Sequence, residues 1–268
     1  MTRFAIIATE QDQASRNIGN RIIELGKFEP DKEKPYRTFK KDNDILVWHE
    51  KELIFATDLS EHYNPDCFVC VFRHKSDKNP KPLLSVHATG NLLKPLREGK
   101  PYELGLAHPG YMITVLRNLQ SHVPQGYQVT YEATHHSPTN LTKPVMFVEI
   151  GSSEEQWQDP NAIDAVAKSV LGLLETQVTD YKACVGFGGD HYQGKFTRNS
   201  LEGDLAFGHI IPNFKFKELN PDIVQQAIDR TIGCRAVVLD TGSQGKQEER
   251  KPILEVIEKN HIELIKLK

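Results

Sequence analysis

Short, nearly unbroken apolar runs punctuate the chain at 4–8 (FAIIA), 67–73 (CFVCVFR), 83–88 (LLSVHA), 145–150 (VMFVEI), 183–186 (ACVG) and 235–240 (RAVVLD). Runs of this length, rich in β-branched residues and bounded by polar or Gly/Pro segments, read as buried strands. Helical spacing fills the intervals. Ile18, Ile22, Ile23 and Leu25 keep to one side of a helix that Ser15 can cap and Gly26 can stop. Pro109 suits the first turn of a helix over 111–123. A longer helix from Pro160 presents Ile163, Val166, Val170, Leu173 and Leu174, with the Ser152-Ser153 pair offering an entry cap. Asn220-Pro221-Asp222 opens another helix and Gly233 ends it.

Segment 28–43 is polar and predicted to be exposed, whereas 44–49 and 52–57 are close enough to form a hairpin. HKSDKNPKP, 74–82, reads as a loop, 128–134 as a strand, and 261–267 as a closing strand after a short helix. A short apolar element carries His209. Strands alternating with helices, plus an antiparallel hairpin, predict an α/β fold: one three-layer domain with a mixed sheet across 1–268.

Composition narrows the picture. A chain of 268 residues can bury a sizeable core, and no window is long and apolar enough to span a membrane. The N-terminus turns polar after one strand-sized run, so no secretory signal is expected. Of the four cysteines, Cys67 and Cys70 form a C-x-x-C inside a β-like run with no second pair at zinc-ribbon spacing, so reduced core thiols and a cytoplasmic location are expected. A net charge of -3 does not announce a nucleic-acid binder, although Lys182, Lys195, Arg198, Lys215 and Lys217 offer either a solvated face or phosphate contacts. The turn after the first strand lacks the glycine fingerprint of a dinucleotide site.

Candidate chemistry collects at strand ends: His87, His108, His135, His136, Glu149, Asp190, His191 and His209. Neutral imidazole and carboxylate suit zinc, whose catalytic sites use three protein ligands and lower the pKa of water to about 7. No H-E-x-x-H spacing is present. His135 and His136 are adjacent, so on a strand they face opposite sides and only one serves a given metal directly. Ser137 or Thr139 lacks the G-x-S-x-G elbow of an activated nucleophile. GFGGDH is either a structural bulge or a place where backbone N–H groups meet an anion.

SVHATGN (85–91), THHSPT (134–139), FVEIGSSEEQW (147–157), GFGGDHYQGKFT (186–197) and FGHIIP (207–212) together resemble the second type of D-aminoacyl-tRNA deacylase, archaeal and plant, related to the plant ethanol-tolerance protein. The resemblance covers nearly the whole chain. It implies hydrolysis of the ester joining a D-amino acid to tRNA, including aldehyde-modified forms, with zinc as cofactor and a fold akin to purine nucleoside phosphorylase and peptidyl-tRNA hydrolase. The absence of plant-type extensions favours an archaeal-like form. On that basis His135, His136, Glu149, Asp190 and His191 are the expected catalytic set, and His87, His135 and His209 the expected zinc ligands. Gly188 and Gly189 are expected to bind substrate through backbone N–H groups, beside Tyr192 and Lys195. Tyr192, Phe196 and Phe187 are candidate pocket walls or stacking surfaces for the terminal adenine, with core packing the alternative for all three and the favoured one for Phe187. The competing readings are a phosphorylase-like or metal-dependent hydrolase of a small nucleoside or amide, and a tRNA-end-binding module without catalysis.

Overall fold

A computed structural model describes residues 3–76, 80–93, 99–178, 180–242 and 247–268. In chain order the elements begin β1 (Phe4–Thr9), α1 (Gln13–Gly26), β2 (Glu29–Lys32), β3 (Arg37–Lys41), β4 (Asp44–His49), α2 (Leu59–His62) and β5 (Cys67–Arg73). There follow β6 (Leu83–Ala88), β7 (Gly90–Asn91), β8 (Glu103–Leu104), α3 (Pro109–His122), β9 (Gln128–Tyr131), β10 (Val145–Gly151), α4 (Glu154–Gln158) and α5 (Pro160–Glu175). The last part comprises β11 (Lys182–Phe187), α6 (Gly194–Glu202), β12 (Leu205–Ile211), α7 (Pro221–Asp229), β13 (Ala236–Asp240), α8 (Lys251–Asn260) and β14 (Glu263–Leu267).

The fold is α/β and the main sheet is mixed, as expected. It has eight strands in the order β2-β3-β4-β1-β5-β10-β6-β9. The central β4, β1, β5 and β10 are parallel, and β6 enters antiparallel to β10. Pleating sorts β1 between two layers: Phe4, Ile6 and Ala8 pack with Ile18 and Ile22 of α1, Val115 of α3 and Val166 of α5. Ala5 and Ile7 point the other way, toward Leu53, Ala56 and Leu59.

A single sheet does not account for all the strands. β12-β11-β13-β14 form a second sheet, parallel throughout, because β9 closes the edge beside β6 and β11 pairs only with β12 and β13. Its two faces are served by different cores. Cys184, Phe207, Ile210 and Val238 join the cluster beneath the main sheet, while Val185, Phe187, Ile211 and Val237 pack with Ile223 of α7 and Ile253 of α8.

The predicted hairpin is shifted. Segment 52–57 contains a 3-10 helix, Leu53–Phe55, and the partner of β4 is β3, with Lys41 opposite Asp44. The intervening turn places Asp42 at φ 51°, a left-handed conformation that Asp tolerates. β3 buries only Thr38 fully and carries three basic residues, Arg37, Lys40 and Lys41, so its sequence has no apolar run to mark a strand. α1 is capped by Asp12, whose carboxylate accepts from the Ser15 N–H at 2.7 Å, and it closes on left-handed Lys27 in place of Gly26. Part of the predicted 74–82 loop, residues 77–79, lies outside the described residues. No helix of the described residues is long and apolar enough to cross a membrane.

Candidate active site

Antiparallel pairing of β6 with β10 sets Phe147 opposite His87 and Glu149 opposite Ser85. Period-two projection then puts Ser85, His87, Phe147 and Glu149 on one face. His74 follows the last residue of β5, and Glu132 follows the last residue of β9. The loop after β11 completes the group: Ala133 N–H donates to the His191 carbonyl at 2.8 Å and Gln193 N–H to that of Tyr131 at 2.9 Å, bringing His191 and Tyr192 in from the second sheet.

Two buried carboxylates organise the histidines. Glu132 Oε2 lies 2.8 Å from His191 Nε2, 3.1 Å from His74 Nδ1 and 3.8 Å from His135 Nε2. Its other oxygen accepts from Ser85 Oγ at 2.5 Å. Glu149 Oε1 lies 3.5 Å from His87 Nε2 and 4.0 Å from His136 Nε2, and its Oε2 lies 3.6 Å from His74 Nδ1. His74 Nε2 is 2.9 Å from the Tyr192 hydroxyl.

Burial alone would raise both carboxyls, but the surrounding imidazoles outweigh it. His74 and His191 hold Glu132 well below the usual range, and His136, His74 and His87 do the same for Glu149. Burial would lower His74, yet the two carboxylates push it up to about 11, so it is cationic at neutral pH. His135 is held well below its ordinary value by burial and by neighbouring His87 and His136, and burial also lowers His136. His87 is raised because Glu149 overcomes its burial.

Three imidazoles share one arrangement. The Nδ1 of His87, His135 and His136 lies 3.1, 2.7 and 2.7 Å from the carbonyl oxygens of Ala88, Ala133 and Ser137. A carbonyl only accepts, so each Nδ1 carries a proton, and in the neutral ring that a metal binds each Nε2 presents a lone pair. Their possible ligand atoms lie within 4.8 Å of one another. His87 Nε2 is buried with no hydrogen-bond partner, the orphaned acceptor that a cation would satisfy. The donor set therefore fits zinc. A second group, His74, Glu132 and His191, is similarly compact.

The sequence-predicted residues separate into three places. His87, His135, His136, Glu149, His191 and Tyr192 belong to the cluster. His135 and His136 both serve it, contrary to the strand argument, because His136 has φ 44° and turns the backbone so that the rings meet with centroids 4.5 Å apart. His209 does not join them: its Nδ1 is 3.2 Å from Thr134 Oγ1 and its Nε2 3.0 Å from the Gly105 carbonyl, leaving neither nitrogen for zinc. Asp190, Gly189 and Lys195 line a neighbouring crevice, where Lys195 Nζ pairs with Asp240 at 2.6 Å. The Gly188 N–H is committed to the Ile211 carbonyl at 2.9 Å and cannot serve substrate. His108 caps α3, accepting from the Tyr111 N–H. Phe187 and Phe196 are fully buried and pack in the core.

Residues 61–265 match the family model described as D-aminoacyl-tRNA deacylase. The chain belongs to this family. The deacylase of Thermococcus kodakarensis is 35% identical over 97% of this chain and 98% of its own length. That of Methanocorpusculum labreanum is 37% identical over 91% of this chain, which spans only 54% of that relative. The crystal structure of a conserved protein of unknown function, AF0625, superposes with a TM-score of 0.93 and 26% identity over 99% of this chain and 95% of that one. Against this deacylase frame, sequence reasoning missed His74 and Glu132. The available signals were a histidine one residue past a buried parallel strand and a carboxylate in the apolar run VTYEA.

Proposed function

We propose that this chain hydrolyses the ester bond of D-aminoacyl-tRNA in the cytoplasm, releasing D-amino acid and tRNA, with zinc as cofactor. The observation that carries the reading is the convergence of three imidazoles, buried His87 and half-buried His135 and His136, beside two buried carboxylates in a member of the deacylase family. His87, His135 and His136 would hold the zinc. Zinc bound there would supply Lewis acidity and acidify water in the site toward about pKa 7. The four free cysteines suit a reducing compartment.

The chain's own groups do the rest. Glu132 accepts the Nε2 proton of His191, which leaves His191 Nδ1 as the basic nitrogen to take a proton from attacking water. Glu149 offsets positive charge gathered by the histidines around it. Cationic His74 donates through Nε2 to the Tyr192 oxygen, so the Tyr192 hydroxyl proton is free to point at the carbonyl oxygen on which negative charge develops. An aminoacyl ester is already activated, so positioned water and oxyanion stabilisation suffice.

The test is release of tyrosine from D-tyrosyl-tRNA and L-tyrosyl-tRNA by purified protein, with chelation and zinc return. D-selective release abolished by chelation and restored by zinc supports the whole reading. Release that survives chelation removes zinc from it, release of both enantiomers removes chiral selection, and no release above the uncatalysed rate overturns the function.

A further inference from the structure

The second sheet has a crevice of its own. From β11 the chain passes to β12 on one side and then to β13 on the other, so the strand order reverses between β11 and β13. At such a switch point the loops leaving the carboxyl ends diverge and open a binding crevice. Here the loops start at Gly188-Gly189, with φ 129° and 67°, and at Asp240-Thr241-Gly242. Between them lies a space of about 750 Å³, bordered by Gly189, Asp190, Lys195, Phe214, Lys217 and Asp240 among others. That is within the usual size of a small-ligand site.

The lining offers a nucleotide an aromatic ring and a lysine, beside the carboxylates of Asp190, Asp240 and Glu249, of which Asp240 pairs with Lys195. Phe214 is 54% exposed, more than any other large apolar side chain among the described residues, and offers a ring face to a base. Lys217 is exposed and lines the same space, where it can meet a phosphate, while Lys215 Nζ lies over one face of the Phe214 ring, 5.8 Å from its centroid. Asp190 is exposed, lines the same space and can accept from ribose hydroxyls.

One loop separates this crevice from the catalytic cluster. Gly189 and Asp190 face the crevice, while the next two residues, His191 and Tyr192, reach Glu132 and His74. The crevice and the cluster are thus bordered by consecutive residues of one loop, 189–190 and 191–192.

We infer that the crevice between β11 and β13 binds the 3′-terminal nucleotides of the tRNA, a subsite for the non-reacting end of the substrate; this rests on the deacylase reading. The shared chemistry is that of a nucleotide, and a free mononucleotide is the rival source.

The experiment compares wild type with Phe214→Ala and Lys217→Ala, both exposed positions whose truncation leaves the core intact. Turnover is measured on D-tyrosyl-tRNA and on D-tyrosine methyl ester, which carries no nucleotide. The KM for the tRNA is expected to rise roughly tenfold or more in Phe214→Ala, the usual cost of losing a stacked base, with the methyl-ester rate within about twofold of wild type. Equal losses on both substrates, or no loss on tRNA, overturn the subsite. Binding of a fluorescein-labelled RNA oligonucleotide ending in CCA is followed by anisotropy in parallel and needs no turnover. If wild type hydrolyses neither substrate, the deacylase reading fails, and the crevice stands or falls on whether Phe214→Ala weakens the oligonucleotide. Binding of free adenosine monophosphate without binding of the oligonucleotide assigns the crevice to the rival source and overturns the inference.

Discussion

Replacing His209 by Gln tests whether this histidine is a buried neutral strut or a zinc ligand. Its side chain is inaccessible to solvent, and the neutral tautomer satisfies both neighbours: Nε2–H donates to the Gly105 carbonyl, and Nδ1 accepts from the Thr134 hydroxyl. Burial is the main reason its pKa falls from 6.5 to about 4. Between those values the unfolded chain binds the proton that the folded chain refuses, so stability falls as pH falls and is flat above 6.5. At 1.36 kcal/mol per unit, the loss amounts to about 2 kcal/mol by pH 5 and about 3 kcal/mol below pH 4. Urea denaturation of wild type and His209→Gln from pH 7.5 to 4.5 isolates this contribution, because other acid-titrating groups cancel in the difference. The variant is expected to be the less stable at pH 7.5, with the gap narrowing by about 2 kcal/mol at pH 5. A gap that stays constant refutes the buried neutral histidine. Zinc content of the folded variant should equal that of wild type, and its loss would return His209 to the ligand set.

Glu132→Gln leaves cationic His74 facing a neutral amide, so stability at neutral pH should fall by about 3 kcal/mol and release from D-tyrosyl-tRNA by about 100-fold; wild-type values in both would remove Glu132 from the centre of the site. His135→Ala should keep its circular dichroism and tRNA affinity while losing bound zinc and at least about 100-fold in turnover. Gly90→Ala would place a methyl group 2.5 Å from Leu104 Cδ2 and 2.6 Å from Thr134 Cγ2, costing about 1–3 kcal/mol by overpacking beside the His135 loop. Gly194→Ala meets nothing within 4 Å and should stay within about 0.5 kcal/mol of wild type, which a thermal melt of the pair would check.

The sequence by itself determined the elements whose cause is local. The apolar runs of β1, β5 and β10 are buried throughout, and α3 and α5 each begin with a proline in the first turn. It also marked the motifs that place the chain among the deacylases and most members of the histidine cluster. Tertiary structure decided which strands share a ladder, because pairing depends on partners distant in sequence. β3 became the neighbour of β4, and β11 opened a second sheet. The same limit governs the site. Glu132 meets His74 and His191 only because β9, β5 and the loop after β11 converge, and none of those residues carries a local pattern that predicts the encounter. His209 shows the converse: a histidine in an apolar run has the same sequence appearance as a ligand or a strut. Only the Thr134 hydroxyl and the Gly105 carbonyl, brought to it by folding, fix which it is.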